Sequence, residues 1–196
     1  MGVTGSKAEH RISKILDAAL EVFSHKGYRD SAVDDIATTS QTSKGGVYFH
    51  FPSKQAIFLA LLDRMADLLL SRASKSMAAE PDWPKKGDAA LATMLHTFAD
   101  HRNLTRLFLV EALGAGREFN QKILEMHITF TALIKDYLDT GVVDGYIAPL
   151  ETRIASIAWF GAVNEVVTRW VLDEEPGNLE DAYNPLRELL RRGIGL

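Results

Sequence analysis

VDDIATTSQTSKGGVYFHFPSK, from Val33 to Lys54, is the stretch on which the reading of the fold turns. Val33, Ile36 and Ala37 fall at helical spacing and give a short helix one apolar face. Gln41-Thr42-Ser43 follows as a turn, and Ser43 is a side-chain N-cap for a second short helix through His50. Val47 and Phe51, four residues apart, close back onto the first helix. That leaves Lys44, Gly45, Gly46, Tyr48 and His50 on the outer face. Two short helices with an apolar inner seam and a small, basic, aromatic outer face meet the requirements for entering a DNA major groove. Lys44 is the candidate for a base edge, with guanine O6 or N7 as acceptor, and Tyr48 and His50 are candidates for phosphates. Phe49 has two readings, stacking on sugars or packing on the helix upstream. Adjacent Gly45 and Gly46 cost a helix about 1 kcal/mol each relative to alanine. The compensating reading is that a bare backbone comes closer to the bases.

On the upstream side, Ile12, Ile15, Leu16, Ala19 and Phe23 recur at threes and fours, which predicts an amphipathic helix from Lys7 to Ser24 closed by Gly27. Residues 1–8 are expected to stay unordered until they meet a partner. Tyr28 tucks against the core, and Asp30 or Ser31 starts the next helix, whose first turn carries Asp34 and Asp35. On the downstream side Pro52 stops the second short helix and Ser53 caps a longer one. The free N–H groups of that helix start, with Lys54, form a phosphate clamp. Ile57, Phe58, Leu61, Leu62, Met65, Leu68 and Leu69 then mark a helix from Lys54 to Met77, roughly 36 Å long at 1.5 Å per residue, a rod able to act as a lever.

The phrases ILDAALEVFSHKGYRDSAVDDIA and TSKGGVYFHFPSKQAIF, with their order and turn residues, resemble the DNA-binding domain of the TetR family of one-component transcriptional regulators, from Ile12 to about Leu69. The resemblance implies an all-α chain of about nine helices. A three-helix, helix-turn-helix DNA-binding head occupies residues 1–54, and a ligand-binding and dimerisation body residues 55–196. It also implies a homodimer on a palindromic double-stranded operator, and a phosphate contact at Lys54. The two last helices would pair with those of a second copy, using Gly161, Ala162, Glu165, Arg169, Leu186 and Leu190. A twofold dimer agrees with the short reach of one head.

In the body, Ala79 to Gly87 is the clearest break, with two prolines and a glycine. Helical patterns follow over Ala89–Asp100, Leu104–Ala112, Phe119–Leu138, Glu151–Leu172 and Leu179–Leu190, with breaks at Gly114 and Gly116 and a loop from Gly141 to Pro149. Glu151–Leu172 is apolar on more than one face, as suits a central or interface helix.

Composition bounds the function. The chain has 196 residues, 46% hydrophobic and 24% charged, as in an ordinary globular protein. Its net charge is −4, but residues 1–55 hold seven Lys or Arg against six Asp or Glu, and the rest fifteen against twenty. A basic foot of Lys7, Arg11, Lys14, Lys44 and Lys54 thus stands under an acidic body. No cysteine occurs, which excludes disulfides, thiol catalysis and cysteine-bound zinc. No signal peptide or spanning stretch is visible, so a cytoplasmic location away from membranes is expected. His96, His101 and His127 near Glu111, Glu118 and Glu125 lack metal-binding or hydrolase spacing, so no metal, no cofactor and no enzyme activity are expected.

From the resemblance, a small-molecule effector among the body helices is expected. Met94, Phe98, Leu107, Phe108, Met126, Phe130, Tyr137, Trp159, Phe160 and Val163 are available to line its pocket, with Glu111 as a polar group. Such a lining suits a long apolar ligand, while the same stripe is equally the signature of plain core. RNLTRLFLVEALGAGREFNQKILEMH and WFGAVNEVVTRWVL are similar to TetR regulators of fatty-acid metabolism that respond to long-chain acyl-CoA. Arg102, Arg106, Arg117 and Lys122 could then hold the CoA head. Three readings stay open: acyl-CoA, another hydrophobic effector such as a drug or aromatic compound acting on efflux or catabolic genes, and a helical ligand carrier that has lost DNA binding.

Overall fold

The computed structural model describes residues 3–112 and 116–196, with side chains from Lys7 onward, and every regular element among them is helical. Nine α-helices run in order: α1 (Val3–Asp30), α2 (Val33–Thr39), α3 (Lys44–His50), α4 (Lys54–Ala79), α5 (Trp83–Asp100), α6 (Arg102–Arg106), α7 (Arg117–Val143), α8 (Thr152–Leu172) and α9 (Tyr183–Arg192). α6 widens into a π turn over Leu107–Glu111, and a 3₁₀ turn over Leu179–Ala182 leads into α9.

Local chemistry explains the head. α1 starts at Val3, ahead of the expected Lys7, and is broken at Gly27, whose φ of 75° and ψ of 162° suit glycine alone. α2 takes Ala32 as its N-cap instead of Asp30 or Ser31. The Asp35 carboxylate accepts the Ala32 N–H at 3.1 Å, while the Ser31 hydroxyl turns back to the Tyr28 carbonyl at 2.8 Å. Gln41 takes the left-handed conformation, φ 52°, that carries the chain from α2 into α3. Ser43 and Ser53 cap α3 and α4 through the Gly46 and Ala56 N–H groups, each at 3.1 Å.

α4 is the spine. Its Ile57, Phe58, Leu61 and Leu62 are buried with Ile15, Phe23 and Ile36 of the head, and its later turns pack on α5 and α7. One continuous core therefore runs from head to body, with a smaller cluster at the far end around Trp83, Tyr137, Leu138, Ile147 and Ile194.

Two expected loops are shorter than read, each giving up one end to helix, for one shared reason. α5 begins at Trp83, with Pro84 in its first turn where a missing N–H costs nothing. Trp83 is buried, donates its indole N–H to the Tyr137 carbonyl at 2.9 Å, and lies flat between the rings of Tyr137 (4.4 Å) and Tyr146 (5.3 Å). Gly141 lies inside α7 because a Cβ there would sit 2.1 Å from the Trp83 ring. Docking this tryptophan turns the proline-rich break into a helix start and carries α7 past Leu138 to Val143. The expected break at Gly114 lies outside the described residues.

Candidate functional site

Two surfaces carry chemistry: the outer face of α3 with the groove beside it, and a cavity in the body. On α3, Val47 is fully buried against the head, whereas Tyr48 is 43% and Phe49 83% exposed. Phe49 therefore does not pack on α1; its ring stands edge-on to His50, 5.1 Å away. Lys44 projects outward but is paired with Asp34 of α2 at 2.9 Å, and this neighbour raises its pKa. An exposed pair of this kind is easily exchanged for a nucleic-acid partner. Beside α3 opens a groove bordered by Lys7, His10, Arg11 and Lys14 of α1 and by Gln41, Thr42, Ser43 and Gly46. The expected basic foot is thus a real concentration of positive charge, contributed mostly by α1.

Three head residues differ from their expected roles. Lys54 does not extend from the surface. Its ammonium donates to the carbonyls of Tyr28 (2.6 Å), Ser31 (2.8 Å) and Arg29 (3.1 Å) and lies 4.6 Å over the Tyr28 ring. These carbonyls lie at the end of α1, where no helical N–H follows and where the dipole favours a cation. His50 has its Nε2 enclosed without a partner, so that atom is not offered to a phosphate. Gly45 and Gly46 are not equivalent. A Cβ on Gly45 meets nothing within 4 Å, whereas one on Gly46 would lie 2.8 Å from Thr42 Cγ2 and 3.2 Å from Ser43 Oγ. Gly45 is the bare surface; Gly46 is bare to let the turn close.

In the body, a mostly apolar cavity of about 80 Å³ lies among α4, α5, α7, α8 and α9. Met94, Tyr137, Trp159 and Val163 of the expected lining border it, joined by Leu91, Leu133 and Ile134. A second void of about 40 Å³ is bordered by Phe108, Met126, His127 and Asn164. Phe130 and Phe160, stacked at 6.1 Å, lie between the two along α7 and α8. Burial among these apolar groups, with the Phe160 ring 4.7 Å away, lowers the pKa of His127. Phe98, Leu107 and Phe130 are core, 5%, 1% and 3% exposed, and none of them, nor Phe160 or half-buried Glu111, borders either cavity.

The charged rim of the larger cavity is not the one expected. Arg102 caps α8, donating to the carbonyls of Asp173 (2.7 Å) and Val171 (3.3 Å) with its guanidinium over Trp170. Lys122 pairs with Asp63 at 2.5 Å, and Arg106 and Arg117 border neither cavity. Asp88 of α5 with Arg187 and Arg191 of α9 stand at the cavity instead. A signal was present in the spacing: Arg187, Leu190 and Arg191 lie three and four apart, on one face of α9.

The outer face of α8 is unusually apolar, with Ile154 (51%) and Ile157 (49%) exposed, and Gly161 open with no neighbour within 4 Å. Glu165 pairs with Arg169 along the same face at 2.6 Å. Leu186 and Leu190 of α9 are buried in their own chain, and Leu189, 63% exposed, takes the outer position because the helix presents its 186/190 row to α5. Ala162 is partly buried against the core. Head and body meet where α7 begins. Phe119 packs its ring edge-on against both Tyr28 (5.2 Å) and Phe58 (5.0 Å), and Gln55 donates to Glu118 at 2.6 Å. Among the described residues no helix is long and apolar enough to cross a membrane, and no group of three or more His, Asp or Glu side chains could hold a metal ion.

Comparison with known proteins agrees with this anatomy. The model of bacterial regulatory proteins of the tetR family matches residues 15–61, and that of the YsiA-like protein C-terminal region matches residues 62–193. The fatty acid metabolism regulator protein of Bacillus subtilis is 28% identical over 182 residues, covering 92% of this chain and 94% of that protein. The structure of the fatty acid degradation regulator FadR from Bacillus halodurans superposes with a TM-score of 0.88 at 25% identity, over 94% of this chain and 96% of that one. FadR from Bacillus subtilis in complex with stearoyl-CoA gives 0.84 at 27% identity, over 93% and 98%. With both halves matched in order and the helix-turn-helix displayed as described, this chain belongs to the TetR family of ligand-responsive, DNA-binding transcriptional regulators.

Proposed function

We propose that this protein is a homodimeric repressor whose two heads occupy a palindromic operator and are released by a long-chain acyl-CoA or a closely related long-chain amphiphile. The observation that carries the reading is the apolar cavity set among α4, α5, α7, α8 and α9, two of which, α4 and α7, also hold the head. A ligand there acts on the same helices that position α3. The cavity of about 80 Å³ lies well below the roughly 300–1,000 Å³ of pockets that hold drug-sized ligands. A long chain therefore has to part these helices as it enters, and that displacement is the signal. The apolar lining favours a chain over a sugar, and the Bacillus subtilis relative of known structure is one in complex with stearoyl-CoA. The exposed 154/157/161 row of α8 with Leu189 of α9 supplies an apolar seam for the second copy. Lys44, Gly45, Tyr48 and Phe49 then face the bases and their sugars, while Ser53 and the α1 basic groups follow the backbone.

The test is to select an operator from a random double-stranded library, then titrate it with the protein by fluorescence anisotropy, with and without palmitoyl-CoA. The reading expects a palindromic site, a dimer by light scattering, and release of the DNA by micromolar palmitoyl-CoA but not by free CoA. Release by an aromatic drug and not by the acyl-CoA would move the effector to the second class. Failure to select any site would remove the repressor reading altogether.

A further inference from the structure

The rim of the body cavity combines features that the fold alone does not require. Arg187 Nε (2.8 Å) and Arg191 Nη1 (3.2 Å) both reach the same carboxylate oxygen, Asp88 Oδ2. Two guanidinium groups thus share one acceptor atom, far from the two-by-two fork in which arginine binds a carboxylate best. Asp88 is the only acidic group within 4 Å of either arginine among the described residues. The trio therefore carries one surplus positive charge. It is also partly withdrawn from water, with side chains 16% (Asp88), 37% (Arg187) and 28% (Arg191) exposed. A surplus charge held there, at the mouth of an apolar cavity, gains from an added anion.

What lies directly inside this charge is apolar: Leu91, Met94, Leu133 and Ile134 line the cavity behind it. The Tyr137 ring lines the cavity too, and its hydroxyl lies beside Gly87, where any side chain would collide with it at 2.8 Å. Burial and the nearby Asp88 charge raise the phenol pKa, so the group remains a donor. An apolar slot with arginines at one end has the shape and polarity of an amphiphile, tail inward and anion outward. The same two arginines also border the two outer clefts, one beside Trp83, Lys85 and Tyr146 and one beside Asn184 and Arg192, so the charge is reached from solvent.

We propose that Arg187 and Arg191 hold the anionic head of a long-chain amphiphile, and that Asp88 occupies this anion position in the empty protein and is displaced when ligand enters. This rests on the effector reading above and assigns its head-binding groups to α9 in place of Arg102, Arg106, Arg117 and Lys122. Because Asp88 stands on α5 and both arginines on α9, exchange of anions unlatches α5 from α9 as the tail parts the walls. Selectivity follows from the same geometry. A neutral amphiphile of equal length cannot replace the Asp88 carboxylate, so it leaves the latch shut. The shared chemistry is a cluster of anionic oxygens, supplied by a carboxylate or by the phosphates of a CoA thioester.

The experiment measures the binding of dodecanoate and dodecanoyl-CoA, below their micellar concentrations, and of dodecanol, below its solubility limit, to the full chain by calorimetry. The wild type should prefer at least one anion over dodecanol by tenfold or more, and the preferred anion identifies the head. R187Q/R191Q should lose that preference while still taking dodecanol. D88N should bind the preferred anion several-fold more tightly, with dodecanol unchanged. The triple variant D88N/R187Q/R191Q, in which no charge is left unpaired, should fold as the wild type does and show no preference, which separates head recognition from collapse of the rim. An anion preference that survives in the triple variant overturns the assignment of the arginines. Unaltered anion binding by D88N overturns the latch. A wild type that takes none of the three ligands overturns the effector reading itself, and this inference with it.

Discussion

The recognition head and the cavity rim hold their cations differently. In the head, three lysines rest on the ends or first turns of adjacent short elements. Lys54 closes the end of α1, Lys26 reaches Asp35 at 2.8 Å, and Lys44 rests on Asp34 at 2.9 Å. In the body, Arg187 and Arg191 meet Asp88 across a hundred residues of chain, at the edge of a cavity. A surface built to meet a fixed ligand, the double helix, is assembled from short elements whose ends are set by their own caps. The cavity rim is assembled from distant elements, which can move apart as the proposed effector site requires. Between the two stands Phe119, the body residue buried in the head.

The sharpest way to break the comparison is to cut that link. Phe119 is 2% exposed, and replacing it with alanine removes a fully buried ring, with an expected loss of about 3–5 kcal/mol in urea unfolding. F119L keeps most of the volume but loses both edge contacts, to Tyr28 and Phe58. It should lose about 1 kcal/mol, retain operator affinity, and respond more weakly to effector in the anisotropy titration. A full response in F119L would place the head–body connection elsewhere, in α4 or in the packing of α1 on α6 and its π turn.

Next in size is Lys54. A methionine keeps the apolar stem and removes the ammonium from three carbonyls, with hydrogen bonds to charged groups each worth about 1.5–3 kcal/mol. K54M should lower head stability by about 2–3 kcal/mol while leaving the salt dependence of DNA binding unchanged. A salt slope reduced by about one unit at unchanged stability would instead make Lys54 a phosphate contact, as its position after Phe51-Pro52-Ser53 suggests.

That lysine shows where the sequence is legible. Ser43, Ser53, Pro52 and the Val47/Phe51 row obey rules that operate within four residues, and the structure follows them closely. The destination of a lysine ammonium is a matter of what lies twenty-six residues back, and no local rule fixes it. The same holds for the body. Helices α4, α7 and α8 announce themselves by periodicity, but Trp83 within a proline-rich stretch reads as loop until Gly141 and Tyr137 are brought against it. Phe98, Leu107 and Phe130 have the same residue types as Met94, Tyr137 and Trp159, and only packing sorts core from cavity wall.

The two glycines of α3 sharpen the head's side of the comparison within one residue step. G46A forces a methyl to within 2.8 Å of Thr42 Cγ2, an overpacking expected to cost about 1–3 kcal/mol and to weaken DNA binding through misplacement of α3. G45A meets open space, so the head should gain up to about 1 kcal/mol in thermal unfolding from helix propensity, yet bind operator less tightly, because the proposed reading turns this bare surface toward the bases. A stabilised G45A head with unchanged operator affinity would move the closest approach of backbone and bases away from this residue.

The smallest effect belongs to the body. Burial beside Phe160 lowers the pKa of His127 below its ordinary 6.5, so the folded chain holds the ring neutral where the unfolded chain takes up a proton. Stability is then unaffected above the ordinary value, falls as the pH drops below it, and stops falling once the folded ring also protonates. H127Q removes the titrating group while keeping a polar side chain beside Asn164. Urea midpoints at pH 7.5 and 5.5 should therefore differ more for the wild type than for H127Q, with the two proteins closest at the higher pH. If H127Q kept the whole pH dependence, the source would lie in other groups, and the small void between α7 and α8 would play no part in it. If instead the dependence vanished and DNA affinity at pH 5.5 changed with it, the void beside His127 would be coupled to the head, and the division between a fixed surface and a movable one would extend across Phe130 and Phe160.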